Sequence, residues 1–210
     1  MRRSLRKLAT AAVAVAAMAL SVPAATASVA APAWTVGPVS PETFSAVASD
    51  PLFVQGGVPL SCTSSTMQGT LGSAAGTANV PIGTVTSLVW AGCTHPFGPV
   101  TPVAETVPPW ELTANTYSAG VTSGDMSGVR LRMTVLTCSA TVSGRLAVTY
   151  TNSTGKLAVS TDATHKLTVV TATPGCSGLV VVGSNWTYRA TYSTVTPIGG
   201  TTRPSIVYTP

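Results

Sequence analysis

Two histidines, His95 and His165, are the side chains best suited to acid–base chemistry in this 210-residue sequence. A serine hydrolase would need one of them beside an acid such as Asp125 or Asp162, together with a serine on a tight turn. The Gly-x-Ser-x-Gly pattern that places such a serine in many hydrolases does not occur. A small secreted hydrolase using His95 or His165 is therefore an alternative function, and no residue is predicted to be catalytic.

The acidic residues offer no recognisable site either. They are Glu42, Asp50, Glu105, Glu111, Asp125 and Asp162. Glycoside cleavage needs two carboxyl groups about 5 or 9 Å apart, and no spacing in the sequence selects such a pair. The sequence also lacks an Asp-x-Asp loop of the kind that binds calcium. We expect no metal and no cofactor, and we expect Glu111 to form a cross-strand pair with Arg130 or Arg132.

Four cysteines, Cys62, Cys93, Cys138 and Cys176, indicate an oxidising compartment. They are even in number, widely spaced and free of the Cys-x-x-Cys pattern, which favours two disulfides over a zinc or redox site. Of the three pairings that four cysteines allow, the nearest-neighbour pairing suits a meandering β-chain. It joins Cys62 to Cys93 and Cys138 to Cys176, and each bridge would stabilise the fold by roughly 3–4 kcal/mol.

The first 27 residues have the three parts of a secretory signal peptide. A basic start is followed by an apolar run over residues 8–20 and by a small-residue cleavage site ending at Ala27. The apolar run is too short for a transmembrane helix, which needs about 20 residues. The sequence therefore predicts a secreted, extracellular protein, cleaved after Ala27 and without a membrane span in the mature chain.

Charge excludes nucleic acid as a partner. The formal charge of +5 includes Arg2, Arg3, Arg6 and Lys7, all inside the predicted signal peptide. Without these four, seven basic residues face six acidic ones, so the mature charge is 7 − 6 = +1. A surface that binds nucleic-acid phosphates needs a basic stripe, and none remains.

Alternating apolar residues predict strands throughout the mature chain. In the clearest case Val129, Leu131, Met133 and Val135 share one face, and residues 152–155 form the turn of a hairpin. Glycines and prolines interrupt the chain too often for long helices. The predicted fold is all-β, an antiparallel β-sandwich or barrel-like fold of about 8–11 strands with two disulfides. Residues 28–41 are interpreted as a proline-rich lead with one extended piece at residues 34–36, and residues 42–210 as a single domain.

Aromatic side chains on two predicted strands form a candidate ligand platform. These residues are Trp90, Trp186, Tyr188 and Tyr192. For the Trp186 face a place in the core is favoured, since large aromatics commonly fill β-cores. For Trp90 the two interpretations are balanced. If Cys93 points inward and the strand alternates regularly, Trp90 points outward; a bulge at Gly92 would shift the alternation by one residue and turn Trp90 inward.

Several motifs read in order carry a family resemblance. They are the cysteine segments beginning at Cys62 and Cys138, the Gly92-Cys93 pair, Pro108-Pro109-Trp110 and the segment Tyr150–Ser153. With these motifs the chain resembles a family of secreted actinobacterial proteins of unassigned function, and it is more faintly similar to exported pseudomonad alkane-oxidation activators. The resemblance implies export and a β-fold, and it supplies no catalytic residues.

The sequence thus favours a secreted, non-enzymatic bacterial protein acting at or outside the cell envelope or cell surface. Its expected partner is a surface polymer, a hydrophobic ligand or another copy of the chain. Self-assembly into a surface or matrix material is a further alternative, because low charge and strands rich in Thr and Val would leave sheet edges poorly protected.

Overall fold

The computed structural model describes residues 30–210. The predicted signal peptide and its cleavage site lie outside these residues. Within them the chain forms strands and a single 3₁₀ turn, Pro174–Cys176, and none of its helices is long and apolar enough to cross a membrane.

Seventeen strands are present in residues 30–210. In chain order they are β1 (Ala33–Gly37), β2 (Glu42–Ser49), β3 (Leu52–Gln55), β4 (Val58–Ser61), β5 (Ser64–Leu71), β6 (Ala74–Ala75), β7 (Val80–Ala91), β8 (Thr94–His95), β9 (Gly98–Pro99), β10 (Thr101–Ala104), β11 (Trp110–Ser118), β12 (Val121–Val135), β13 (Cys138–Thr151), β14 (Lys156–Ser160), β15 (Leu167–Ala172), β16 (Asn185–Val195) and β17 (Ser205–Thr209).

Eight of these strands close into an antiparallel barrel. They follow one another around it in chain order, as β2, β5, β7, β11, β12, β13, β14 and β16, and the pairing of β16 with β2 completes the circle. This is an up-and-down meander, in which each strand pairs with the one before it and the one after it. The all-β, barrel-like prediction is confirmed.

Shorter strands lengthen the barrel at one end. The β3–β4 hairpin extends β2 and β5, the β8–β9 hairpin continues from β7, and β15 pairs with both β13 and β16. Four connections meet at this end, over residues 55–58, 95–98, 135–138 and 173–184. We call this end the mouth.

The opposite end is closed by a small sheet in the order β17, β1, β6. From it, the side chains of Trp34, Val36 and Ile206 are buried in the core. Since Trp34 is only 1 % exposed, the folded domain already includes β1, and the predicted domain start at residue 42 was too late. The extended piece predicted at residues 34–36 is present as the centre of this strand.

Hydrogen bonds fasten the closing sheet to the barrel. The Asn152 side chain donates to the Ile206 carbonyl and accepts from the Ile206 N–H, both at 2.8 Å. The Tyr150 hydroxyl donates to the Pro204 carbonyl, and burial raises the pKa of this phenol to about 12, although Arg203 opposes the rise. The turn at residues 152–155 thus joins the hairpin predicted there and also anchors β17.

Barrel closure bears on the self-assembly hypothesis. Every barrel strand has hydrogen-bonded neighbours on both sides, so the long unprotected edges expected from the sequence are not formed. The outer edge of β17 is occupied at Ile206 by Asn152. A closed barrel is one of the ways in which β-proteins avoid adding strands from other chains.

Both predicted disulfides are confirmed. Cys62 is bonded to Cys93, joining the β4–β5 junction to the β7–β8 junction, and Cys138 is bonded to Cys176, joining the start of β13 to the 3₁₀ turn. Both bridges lie towards the mouth. The Cys62–Cys93 bridge reinforces the pairing of β5 with β7 and of β4 with β8, and the Cys138–Cys176 bridge lies just beyond the pairing of β13 with β15.

Candidate ligand-binding site

An open cavity of about 460 Å³ occupies the mouth of the barrel. The hairpin turns of β3–β4, β8–β9 and β12–β13 surround it together with the long β15–β16 connection. This volume falls within the roughly 300–1,000 Å³ typical of small-molecule sites. The mouth cavity is therefore the candidate site of this fold.

The inner wall of the mouth cavity is apolar. Phe53, Leu60, Met133, Ala140 and Trp186 line it, and all five are at least nine-tenths buried. These residues come from five strands, and each occupies an inward-facing position of its strand, so the pleat of the strands supplies the apolar lining.

The rim of the mouth cavity is also apolar, although it faces solvent. Phe97 is 54 % exposed, Leu136 is 77 % exposed and Leu179 is 58 % exposed, and each comes from a different connection. None of the four mouth connections contains Lys, Arg, Asp or Glu. Exposed apolar residues gathered in this way commonly mark a ligand or partner site.

Three polar side chains line the mouth cavity: Gln55, His95 and Thr137. The Gln55 Nε2 group donates to the Leu179 carbonyl at 2.6 Å and so ties the β3–β4 turn to the long connection. The His95 Nδ1 atom accepts a hydrogen bond from the Phe97 backbone N–H at 3.3 Å. Because Nδ1 accepts, the ring proton of the neutral imidazole is assigned to Nε2.

The four aromatics predicted as a platform lie inside the barrel. Trp90, Trp186, Tyr188 and Tyr192 are all at least nine-tenths buried, so they form no open face on the outside. Trp186 lines the mouth cavity, whereas the other three pack deeper in the core. The core interpretation favoured for the Trp186 face matches this arrangement.

Gly92 explains why Trp90 faces inward, which is one of the two interpretations that the sequence left balanced. Gly92 adopts a positive φ of 59°, a conformation that glycine tolerates, and it interrupts the alternation between β7 and Cys93. As a result Val89 is 59 % exposed and Trp90 turns inward, where its ring lies 5.6 Å from that of Phe53.

A polar chain crosses the core beneath the mouth cavity. The Tyr188 and Tyr192 hydroxyls are 2.7 Å apart, and the Tyr192 hydroxyl is 3.1 Å from the Ser65 hydroxyl. Burial raises the pKa of both phenols, so they stay protonated and can donate as well as accept. The Phe53 ring, 4.5 Å from that of Tyr188, stands between this chain and the mouth cavity.

The second histidine lies on the outer wall of the barrel. In the loop between β14 and β15, the two ring nitrogens of His165 contact different carboxylates: Nε2 lies 2.5 Å from Asp125 and Nδ1 lies 2.8 Å from Asp162. Asn115 also donates to Asp125 at 2.9 Å. The group fastens the β14–β15 loop to β12 and β11.

The protonation of this group follows from its contacts. Desolvation lowers the pKa of His165, but hydrogen bonds and charge from Asp162 and Asp125 outweigh that effect and raise the pKa above its ordinary value. Backbone N–H groups of His165 and Thr164 hold the pKa of the Asp162 carboxyl well below its usual range. The arrangement favours an imidazolium ion between two carboxylates.

This geometry gives no support to a hydrolase at either histidine. His165 does lie beside Asp125 and Asp162, the acids that a serine hydrolase at this histidine would need, yet both of its ring nitrogens are engaged by them. Neither nitrogen is therefore free to take a proton from a nucleophile. Among residues 30–210, no serine hydroxyl forms a hydrogen bond with His95 or His165. In the same part of the chain, no group of three or more His, Cys, Asp or Glu side chains is placed so that it could hold a metal ion.

The ion pair expected for Glu111 was also wrong. Arg130 pairs with Glu105, with Nε and Oε2 2.5 Å apart. On β11, Glu111 stands opposite Ser127 of β12, so its register keeps it away from Arg130. Glu105 follows β10, and its backbone N–H donates to the Arg130 carbonyl, which places the two side chains together.

Compared with protein-family models, with curated proteins and with solved structures, the chain matches none. The resemblance to secreted actinobacterial proteins and to the pseudomonad activators therefore stays a prediction from the sequence.

Proposed function

We propose that this protein is a secreted, non-enzymatic binding protein that takes a small hydrophobic molecule into the mouth cavity and acts at or outside the cell envelope. The observation that carries the proposal is the open, apolar cavity of about 460 Å³ at one end of a closed barrel. Eight-stranded barrels have an interior wide enough either to be filled by side chains or to hold one small ligand.

The volume defines the size of the ligand. One water molecule takes about 30 Å³ in the liquid, and an apolar carbon group is of similar size, so the mouth cavity accommodates about 15 non-hydrogen atoms. That corresponds to a single small organic molecule.

Several contacts keep the mouth cavity in shape without a ligand. The Cys138–Cys176 bridge lies beside it, and the Thr173 N–H donates to the Ser139 carbonyl at 2.9 Å. The Gln55 side chain holds the long connection from the opposite side. When the site is already formed, its side chains and loops lose little conformational entropy on binding, which favours affinity.

The chemistry of the lining supports binding over catalysis. His95 is the one titratable side chain in the lining, and no carboxylate is present there to orient it as a base. The disulfides fit the oxidising setting of an extracellular protein. Together with the predicted signal peptide they support secretion.

The test is binding of N-phenyl-1-naphthylamine, an uncharged dye that fluoresces in apolar surroundings. A saturable one-site curve is expected, with a dissociation constant below about 200 μM. That limit corresponds to roughly 0.3 kcal/mol for each of about 17 non-hydrogen atoms. Ala140→Phe projects a ring into the mouth cavity and should weaken binding at least about tenfold, since it takes up roughly half the space.

Ala158→Phe is the matched control, because Ala158 is exposed on the outer face of β14. It should leave the dissociation constant unchanged, and thermal unfolding of both variants establishes that they fold. Dye binding that is absent from the native protein, or that Ala140→Phe and Ala158→Phe affect equally, would refute a ligand site in the mouth cavity.

A further inference from the structure

We propose that the ligand is an uncharged molecule with an apolar body and one hydrogen-bond-accepting oxygen, and that His95 selects it by donating from Nε2 at the rim. This inference rests on the proposed function, since it specifies the chemistry of the molecule bound in the mouth cavity. It follows from the separation of apolar and polar groups within the lining.

The deep part of the mouth cavity offers a ligand only apolar contact. Phe53, Leu60 and Met133 are at most 3 % exposed and carry no hydrogen-bonding group. Trp186 also lines this part, and its Nε1 group is itself buried, without a hydrogen-bond partner among residues 30–210. A polar group placed at this depth would lose its hydrogen bonds to water without replacement. The inner end of the ligand is therefore hydrocarbon.

Charge on the ligand is disfavoured throughout the mouth cavity. No Lys, Arg, Asp or Glu lines it or occurs in the four mouth connections. A carboxylate or an ammonium ion would therefore be partly desolvated without a partner of opposite charge. The same argument excludes fatty-acid anions and cationic amines as preferred ligands.

His95 supplies a directed donor at the rim. Its Nδ1 atom accepts from the Phe97 N–H, and its ring lies 5.1 Å from the Phe97 ring, so Phe97 positions the imidazole through both its backbone and its side chain. The neutral ring then carries its proton on Nε2, where it can only donate. The matching ligand atom is an acceptor, such as the oxygen of a ketone, an ester or an ether.

Thr137 is placed to assist on the neighbouring turn. The hairpin that contains His95 leads into β10, and β10 pairs with the last residues of β12 just before Thr137. Both side chains line the mouth cavity, and Thr137 is exposed at its outer edge. Two donors at one side of the rim, above an apolar interior, fix the orientation of the ligand.

Three probes of similar size separate the possibilities by dye displacement at pH 8. Octanophenone carries a ketone oxygen, octylbenzene carries no polar atom, and 4-heptylbenzoate carries a charge; each has about 15 non-hydrogen atoms, matching the volume of the mouth cavity. The benzoate should bind at least about tenfold more weakly than the ketone. Equal or tighter binding of the benzoate would overturn the proposal.

The decisive measurement is the ratio of the ketone and hydrocarbon affinities in two variants. His95→Phe removes the donor and keeps an aromatic ring, and it should lower this ratio about fivefold, the worth of one neutral hydrogen bond. His95→Gln restores an N–H group near the Nε2 position and should recover most of the ratio. The hydrocarbon affinity itself should change little in either variant.

The outcomes distinguish this proposal from the one on which it rests. If all three probes displace the dye but the ratio is the same in the native protein, His95→Phe and His95→Gln, the mouth cavity binds hydrophobic molecules and His95 does not select them. If neither the dye nor any probe binds the native protein, the proposed function fails and this inference fails with it.

Discussion

Replacing both Cys138 and Cys176 by alanine should destabilise the protein and weaken its mouth cavity at the same time. The two cysteines are 38 residues apart in sequence. For a loop of this length the chain-entropy relation gives about 4 kcal/mol, because the open chain gains freedom mainly in the unfolded state. In a domain of this size each kcal/mol shifts the melting temperature by about 2–4 °C, so a drop of about 8–16 °C is expected.

The matched control is the double alanine variant of Cys62 and Cys93, which are 31 residues apart. The same relation gives about 3.7 kcal/mol, so the two variants should melt within a few degrees of each other. They should differ in dye binding, because Cys138 and the neighbouring Gly175 line the mouth cavity whereas Cys62 and Cys93 do not. We expect several-fold weaker binding only without the Cys138–Cys176 bridge.

Thermal unfolding followed by circular dichroism, together with dye titration at 10 °C below the lower melting point, provides both measurements. A melting temperature within about 3 °C of the native value would refute the entropic argument for the bridge. Equal dye affinity in the two variants would show that the long connection keeps its place through hydrogen bonds alone.

Three further predictions concern the core and the outer wall. Tyr192→Phe removes the central hydroxyl of the buried polar chain and should cost about 1–3 kcal/mol in denaturant unfolding, because Tyr188 loses its partner; a change below 0.5 kcal/mol, on the order of a surface substitution, would contradict this. Gly124→Ala should destabilise the fold by at least about 3 kcal/mol, since a Cβ there would lie 1.8 Å from the backbone oxygen of a neighbouring strand; Ser123→Ala, beside it on the outer face, should be nearly neutral. His165→Gln should cost about 1–3 kcal/mol at pH 6 and progressively less above it. The folded pKa of His165 is raised, so its contribution is complete below the unfolded value near 6.5 and is lost as the pH rises through the folded value; a loss that stays constant from pH 6 to 9.5 would argue against the imidazolium.

The sequence predicted best what depends on local spacing. Val129, Leu131 and Met133 are buried while Arg130 and Arg132 face out, as alternation along a strand requires. The disulfide pairing followed from the same meandering chain order. Alternation depends only on neighbouring residues, and the disulfide pairing depends only on the order of the strands along the chain. Neither prediction required knowledge that the barrel closes.

The candidate site depends on contacts that sequence spacing does not encode. The residues of the mouth cavity come from turns as far apart in sequence as Gln55 and Val180, and they meet only because the meander returns every second connection to the same end. The direction of Trp90 is limited in the same way, because it depends on the backbone conformation of a single residue. The positive φ of Gly92 interrupts the alternation and turns the Trp90 side chain inward. One sequence signal was available: four separate turns without a charged residue.

The position of β1 and β17 has a practical consequence for handling the molecule. The two strands are adjacent partners in the sheet that seals the barrel opposite its opening, so Ala33 and Thr209 leave the folded body side by side. A tag or surface linker joined before the first or after the last of these residues would point the entrance of the cavity into free solution. Sensor-chip and bead experiments attached in either way would therefore report on the same unobstructed entrance.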